Sequence, residues 1–580
     1  MMGTRWVVEG EIDPRWPINT RGNIGEVFPE VLTELSYYLA VRAAEAGWRE
    51  AFDDMGIYNA KDFSSDKPVI IGLYGGYGYL NISYLRIVGV RAPGSSPEAI
   101  DLSLFGEGNP PPYQPMKGDK SFINGLKTLK YVLGALGTKT EPPQLADSRA
   151  RLAQWKAKQP SLDADDQALL DYLWAYPPVF QEQFRNHMIT TFTTSIVTGV
   201  LADGAQAAGK PELLTDLTAA VGDVASAAYS VALYEVAKAA QGSPEVLAAF
   251  DEGVAGIGER LADMAEAKAF NDAFDDFIEQ YGHRGPNDWE ISSRTWENTP
   301  ELAYAAVNVM RRSDHDLSPA ARLENVEARR AAAIEQITPH VKFADKLSFK
   351  KAPEAIKHWS RGREGTRDLC IQLHLPTRQV FFELARRAHE RGGTAELRDV
   401  ALLHPIDELP NYLKDPASFL DELAERAALR DRFAAIEPPF FISSQSEVPS
   451  IEELEATAEA AAEGDGAAVA DVGAVLTGAA GSSGVARGRA RVVLDPSDPA
   501  ALEPGDVLVA PLTDPAWTPL FLPAAAVVVN VGALMSHAVI VSRELGIPCV
   551  VAVEGATDRI PDGAMVEVDG STGTVTLIEE

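Results

Sequence analysis

At 580 residues, 46% of them apolar and 23% charged, the chain has the composition of a folded protein of roughly two to four domains at ~150 residues each. Its 84 Asp and Glu outnumber its 52 Lys and Arg, and the formal charge of −32 repels nucleic acid, with no basic stripe to release counterions. The N-terminus has no apolar leader and no run of about 18 apolar residues occurs, while Cys370 and Cys549 are too few for a disulfide framework or a cysteine zinc site; the expectation is a cytoplasmic protein without membrane or nucleic-acid partners.

Residues 1–115 are turn-rich, with Gly72, Gly75, Gly76 and Gly78 close together and Asn109 opening a proline run, and predict irregular structure around a few helices. From about 120 to 435, stretches such as 213–240 and 245–280 carry apolar residues at helical spacing and predict a mostly helical region. Between Arg432 and Arg487 there is no Lys or Arg, and the Ala- and Glu-rich stretch 449–472 reads either as an acidic tether or as a surface helix of the preceding region.

The last hundred residues change character. Strands are predicted at 488–494, 506–511, 526–530 and 549–553, and a hairpin at 564–578 turning through Gly570-Ser571-Thr572-Gly573. One helix interrupts them: Ser536 is its candidate N-cap, Ala538, Val541 and Leu545 form its apolar stripe, and Gly546 with Pro548 ends it. This predicts a compact α/β domain after a mainly α region.

His537 follows the candidate cap, where unsatisfied amides and the helix dipole disfavour a protonated ring and favour a bound anion. A neutral imidazole there can take up a phosphoryl group and have its charge stabilised. For an isolated Ser-His pair, a half-exposed cap histidine is the commoner explanation.

The surrounding residues bear on that choice. The stretch 530–553, NVGALMSHAVIVSRELGIPCVVAV, with 506–520 and 562–575, resembles the swivelling phosphohistidine domain of the phosphoenolpyruvate-utilising enzymes. The resemblance implies that His537 carries the phosphoryl group. Two departures are Ala533, where the family has a second glycine, and Met535, often Thr; the latter looks more like the rifampicin phosphotransferase branch. Segments 20–39, 77–89, 281–300 and 362–378 resemble the acceptor-substrate domain of that branch. The organisation expected is an acceptor domain over 1–440, an acidic linker over 441–475 and a phosphohistidine domain over 476–580.

No ATP-grasp segment and no phosphoenolpyruvate barrel are evident, so the resemblance is to the large subunit of phenylphosphate and alkylphenol phosphate synthases. That implies a phosphotransferase passing a phosphoryl group to a small phenol, charged by a separate ATP-grasp subunit that holds ATP and Mg2+. A larger alcohol or rifamycin-like antibiotic as acceptor, or a non-catalytic phosphocarrier, are the alternatives.

Arg363 and Arg367 lie four residues apart, on one face if helical, with Glu364 and Asp368 beside them; a solvated ion-paired face explains this as well as a phosphate clamp. The resemblance implies that Arg363 and Arg367 clamp phosphate and Glu364 orients the acceptor hydroxyl. His283, in Tyr281-Gly282-His283-Arg284-Gly285, is a candidate general base or a turn histidine. Arg86, Glu26 and Asn81 fall in the family-like N-terminal segments as candidate substrate contacts. Seven of the 16 tyrosines (Tyr37, Tyr38, Tyr58, Tyr74, Tyr77, Tyr79 and Tyr84) precede residue 85, which suits either an aromatic ligand wall or core packing.

Overall fold

Helices account for most of the chain up to residue 436, and a C-terminal α/β region follows, as the periodicities predict. A computed structural model describes residues 12–59, 62–63, 68–92, 96–98, 100–101, 110–218, 225–312, 320–343, 345–436, 438–443, 451–453, 455–456, 469–496, 502–513, 517–532 and 536–579. Asn109, Ala533, Met535 and most of 449–472 lie outside them. The chain divides into two compact units, Met1–Ile196 with Trp289–Ser293 and Gly365–Asp465, and Val197–Asp288 with Arg294–Glu364 and Gly466–Glu580. This division cuts across residue 440, because two long helices, Tyr176–Ala207 and Lys346–Glu390, each contribute residues to both units.

In the first unit, residues expected to be irregular build a four-stranded antiparallel sheet. Strands β1 (Asn19–Thr20), β2 (Ile71–Tyr74), β3 (Tyr77–Asn81) and β4 (Phe441–Ile442) lie in the order β2-β3-β1-β4. The sheet is illegible from local pattern because β1 and β4 have two residues each and pair across some 420 positions. Phe441 and Ile442, placed by the sequence reading in the linker, thus belong to this sheet. Farther along that stretch, Glu455 pairs with Arg432 at 2.8 Å.

Buried carboxylates order the loops of this unit. Glu45 accepts hydrogen bonds from the amides of Val69, Ile70 and Ile71 at 2.9–3.0 Å, and Glu290 accepts from the hydroxyls of Thr33, Ser36 and Ser292. The early tyrosines are core: Tyr58 and Tyr84 stack at 4.3 Å and both lie within 6 Å of Phe52. The Tyr77 and Tyr79 hydroxyls donate to the carbonyls of Phe433 and Pro439. Of the two readings of this cluster, packing explains these residues.

In the second unit, the predicted helical stretches are broken into shorter helices, among them Ala225–Gln241, Pro244–Asp251, Ile257–Ala262 and Lys268–Tyr281. Gly253 and Gly256, at φ 109° and 65°, make breaks that a side chain would strain. The C-terminal part contains β5 (Val475–Thr477), β6 (Ala479–Ser482), β7 (Val485–Val492), β8 (Val507–Ala510), β9 (Ala526–Val529), β10 (Cys549–Val551), β11 (Met565–Asp569) and β12 (Thr574–Leu577). Their order is β5-β12-β11-β7-β8-β9-β10-β6, with β7 to β10 parallel. All predicted strands are present; β5 and β6, short and interrupted by Gly478 and Gly481, were not foreseen.

Candidate active site

The predicted C-terminal helix runs His537–Leu545 and buries Ala538, Val541 and Leu545. Gly546 ends it in the left-handed conformation at φ 68°, its amide bonding the Ser542 carbonyl. Ser536 takes the backbone geometry of an N-cap (φ −70°, ψ 160°), but its side chain makes no capping bond. Its hydroxyl is buried and has no hydrogen-bond partner among the described residues. The expected side-chain cap is therefore absent, and a buried polar group stands idle beside His537.

The His537 ring is 7% exposed and lies among hydroxyls. Nε2 is 3.0 Å from Thr518 Oγ1 and Nδ1 is 3.1 Å from Thr513 Oγ1. Phe521 meets the ring edge-on at 5.9 Å. Thr518 Oγ1 also bonds the hydroxyl of Tyr229, from helix Ala225–Gln241. Behind Tyr229, the Arg284 guanidinium lies 5.0 Å from the ring centre and pairs with buried Asp288 at 3.2 Å. Hydroxyls can donate or accept, so both ring nitrogens keep a partner whichever of them carries the proton.

A second polar group surrounds the other end of this helix. The Glu544 carboxyl is pushed up to about 8, chiefly by burial and then by the neighbouring Glu364 carboxylate, with Arg330, Arg543 and Arg361 opposing. Burial lowers Arg543 to about 10. The nine-residue helix thus has a hydroxyl-lined imidazole at its start and a buried charge cluster at its end, about 10 Å apart at 1.5 Å rise per residue.

The other candidates distribute between the units. His283 (3% exposed), Arg363 and Glu364 belong to the second unit with His537, whereas Arg367, Arg86, Glu26 and Asn81 belong to the first. Arg363 pairs with buried Glu364 at 3.5 Å, and Glu364 also interacts electrostatically with Glu544. Arg86 grips Asp101 at 2.7 and 2.8 Å and the Pro111 carbonyl at 2.6 Å. Asn81 caps helix Ile82–Arg91 by accepting from the Tyr84 amide and donates to the Trp16 carbonyl. Glu26 is half-buried in the short helix Ile24–Val27. Arg86 and Asn81 therefore have evident structural roles. Thr513, Thr518 and Tyr229 were missed as individual residues: no local motif marks a hydroxyl that meets an imidazole only after folding.

Two regions of the chain match known domains. Residues 502–573 match the PEP-utilising enzyme mobile domain, and residues 184–364 match the rifampicin phosphotransferase fourth domain. Two separate parts of the chain thus resemble domains of the PEP-utilising enzymes and rifampicin phosphotransferases. The chain is 34% identical over 325 residues to an uncharacterized protein of Mycobacterium tuberculosis, covering 56% of this chain and 33% of that one. It is also similar to the rifampicin phosphotransferases of Bacillus subtilis (27% over 330 residues; 55% of this chain, 36% of the relative) and Streptomyces sviceus (28% over 363 residues; 60% and 39%). The matches thus cover between a third and two fifths of these relatives' length. Among the described residues, no helix is long and apolar enough to cross a membrane, and no group of three or more His, Cys, Asp or Glu is gathered to hold a metal.

Proposed function

We propose that this chain is the acceptor and carrier part of a phosphotransferase in which His537 takes up a phosphoryl group and passes it to the hydroxyl of a small phenol. The observation that carries this reading is the placement of His537: the first residue of a helix within the segment matching the mobile domain, bonded by two threonines and adjoining an idle buried serine hydroxyl. Unsatisfied amides and a hydroxyl at a helix start suit phosphoryl oxygens. In the transfer step the P–N bond breaks and a P–O bond forms, while the acceptor's proton leaves to a base; within the second unit His283 is the proposed base, with Arg363 neutralising phosphoryl oxygens and Glu364 orienting the hydroxyl. Charging is assigned to a separate ATP-grasp subunit that holds ATP and Mg2+.

A second reading, a larger rifamycin-like alcohol as acceptor, is favoured by the match of residues 184–364 to a rifampicin phosphotransferase domain. The test mixes the chain, an ATP-grasp partner, ATP and Mg2+ with phenol, cresol or rifampicin, following phosphorylated product by mass. Product from phenols that disappears with His537→Ala supports the first reading, and product from rifampicin alone supports the second. A phosphorylated His537 that passes its group to none of them favours a non-catalytic phosphocarrier.

A further inference from the structure

In the first unit, helix Phe122–Ala135 has the polarity of a surface helix reversed. Its buried residues include Asn124 and Thr128, and Asn124 Nδ2 donates to the Gly56 carbonyl at 2.9 Å. Its large apolar side chains, Phe122, Ile123, Leu126, Leu129 and Leu133, are 39–80% exposed. Specific bonds hold this orientation near both ends: the Ser121 hydroxyl accepts from the Asn124 amide, and Tyr131 bonds Thr193 at 2.6 Å. On the order of 500 Å2 of apolar side chain is left open to solvent, as large a patch as a monomer ordinarily shows and the mark of a contact surface.

Phe122, Leu126, Leu129 and Leu133 follow one another at intervals of 4, 3 and 4 residues, the seam of a helix pair. That spacing reads the same in either chain direction. We infer that this face is the contact between two copies of the chain, their helices antiparallel about a two-fold axis that sets Phe122 against the partner's Leu133 and Leu126 against the partner's Leu129. Each copy covers the other's stripe, and together they bury roughly 1,000 Å2, the least that a specific interface needs. Lys127 and Lys130, both exposed, lie on one flank of the stripe, and the two-fold brings like flanks together. The formal charge of −32 adds repulsion between the copies. Apolar burial therefore drives the pairing against charge, and salt strengthens it, whereas an acidic protein or an anionic bilayer drawn to the lysines would be released by salt. The inference is independent of what His537 does.

Sedimentation equilibrium of the full chain tests this. The expected result is a monomer–dimer equilibrium with a Kd of roughly 10 μM at about 150 mM NaCl, tightening severalfold at about 500 mM. Leu126→Glu, which sets an unpaired charge into the seam twice over, should weaken the dimer by about a hundredfold or more, while Leu126→Met should stay within about twofold of the wild type. Leu126 is 53% exposed, so neither change disturbs the fold of the monomer, which circular dichroism checks. The register is read with single cysteines, since the native Cys370 and Cys549 are buried. A short bis-maleimide should join Phe122→Cys to Leu133→Cys in a mixture of the two, but neither variant to itself, because like positions lie about 16 Å apart along an antiparallel pair. A chain that stays monomeric to about 200 μM at every salt concentration overturns the inference. So does a dimer that Leu126→Glu leaves intact, a dimer loosened by salt, or equal joining in the mixture and in the single variants.

Discussion

Each unit buries a histidine within reach of a tyrosine, and the two sites differ in what surrounds the ring. In the first unit, His374 lies inside the 45-residue helix Lys346–Glu390, fully buried, its Nδ1 2.8 Å from the Tyr176 hydroxyl and its ring 4.9 Å from Phe180. Its Nε2 has no hydrogen-bond partner among the described residues, and burial, then the Arg378 charge, hold its pKa well below 6.5. Amides in a helix interior are already bonded, so this ring has no donors for an anion. In the second unit, His537 opens its helix, and rotatable threonine hydroxyls meet both nitrogens. Burial and a tyrosine in the neighbourhood are therefore common to both rings; position on the helix and hydroxyl partners at both nitrogens are what separate them.

The largest expected effect separates the two rings chemically. His537→Ala should reduce acid-labile phosphoryl incorporation by ~1000-fold or more, to background, the scale seen when a covalent group is removed, whereas His374→Gln should keep the label. Label lost in both variants would erase the distinction. Next comes stability: His374→Ala opens a cavity and orphans the Tyr176 hydroxyl, for about 3–4 kcal/mol measured by urea unfolding. Thr513→Val, which removes one partner of His537 Nδ1, should cost only about 1 kcal/mol in the same measurement.

A further effect concerns pH. Because the folded Glu544 carboxyl is raised from 4.5 to about 8, the folded state binds the extra proton between those values. Its contribution to stability is complete below about 4.5, declines as pH rises, and is lost once pH passes about 8. Glu544→Gln should remove that decline, so that between about pH 5 and 8 the wild-type melting temperature falls relative to the variant. Parallel curves would show that the buried pair with Glu364 does not hold a proton.

How much of this could be read beforehand follows from the range of the interactions. Strands β7 to β12 and the helix at His537 were legible because short apolar runs or alternation in the strands, and a small residue before the helix with Gly546 after it, are local signals. The sheet joining Asn19 to Ile442 and the polar file from His537 to Tyr229 span hundreds of residues and leave no periodic trace. Arg86 shows the converse. An arginine in a family-like segment reads as a ligand, yet its partner Asp101 is fifteen residues on, and no pattern distinguishes a structural fork from a binding one.

The seam of the C-terminal sheet has a further consequence. Strands β5 and β6 stand at the two ends of the strand order, yet only Gly478 separates them in the chain, and its amide bonds the Gly573 carbonyl. A one-residue link cannot span a flat eight-stranded sheet, so the sheet curls until its first and last strands meet. Few backbone donors and acceptors are then left to recruit a strand from another molecule. Association of molecules through this region should therefore appear as reversible clustering of side-chain surfaces, not as fibrils grown from a strand edge.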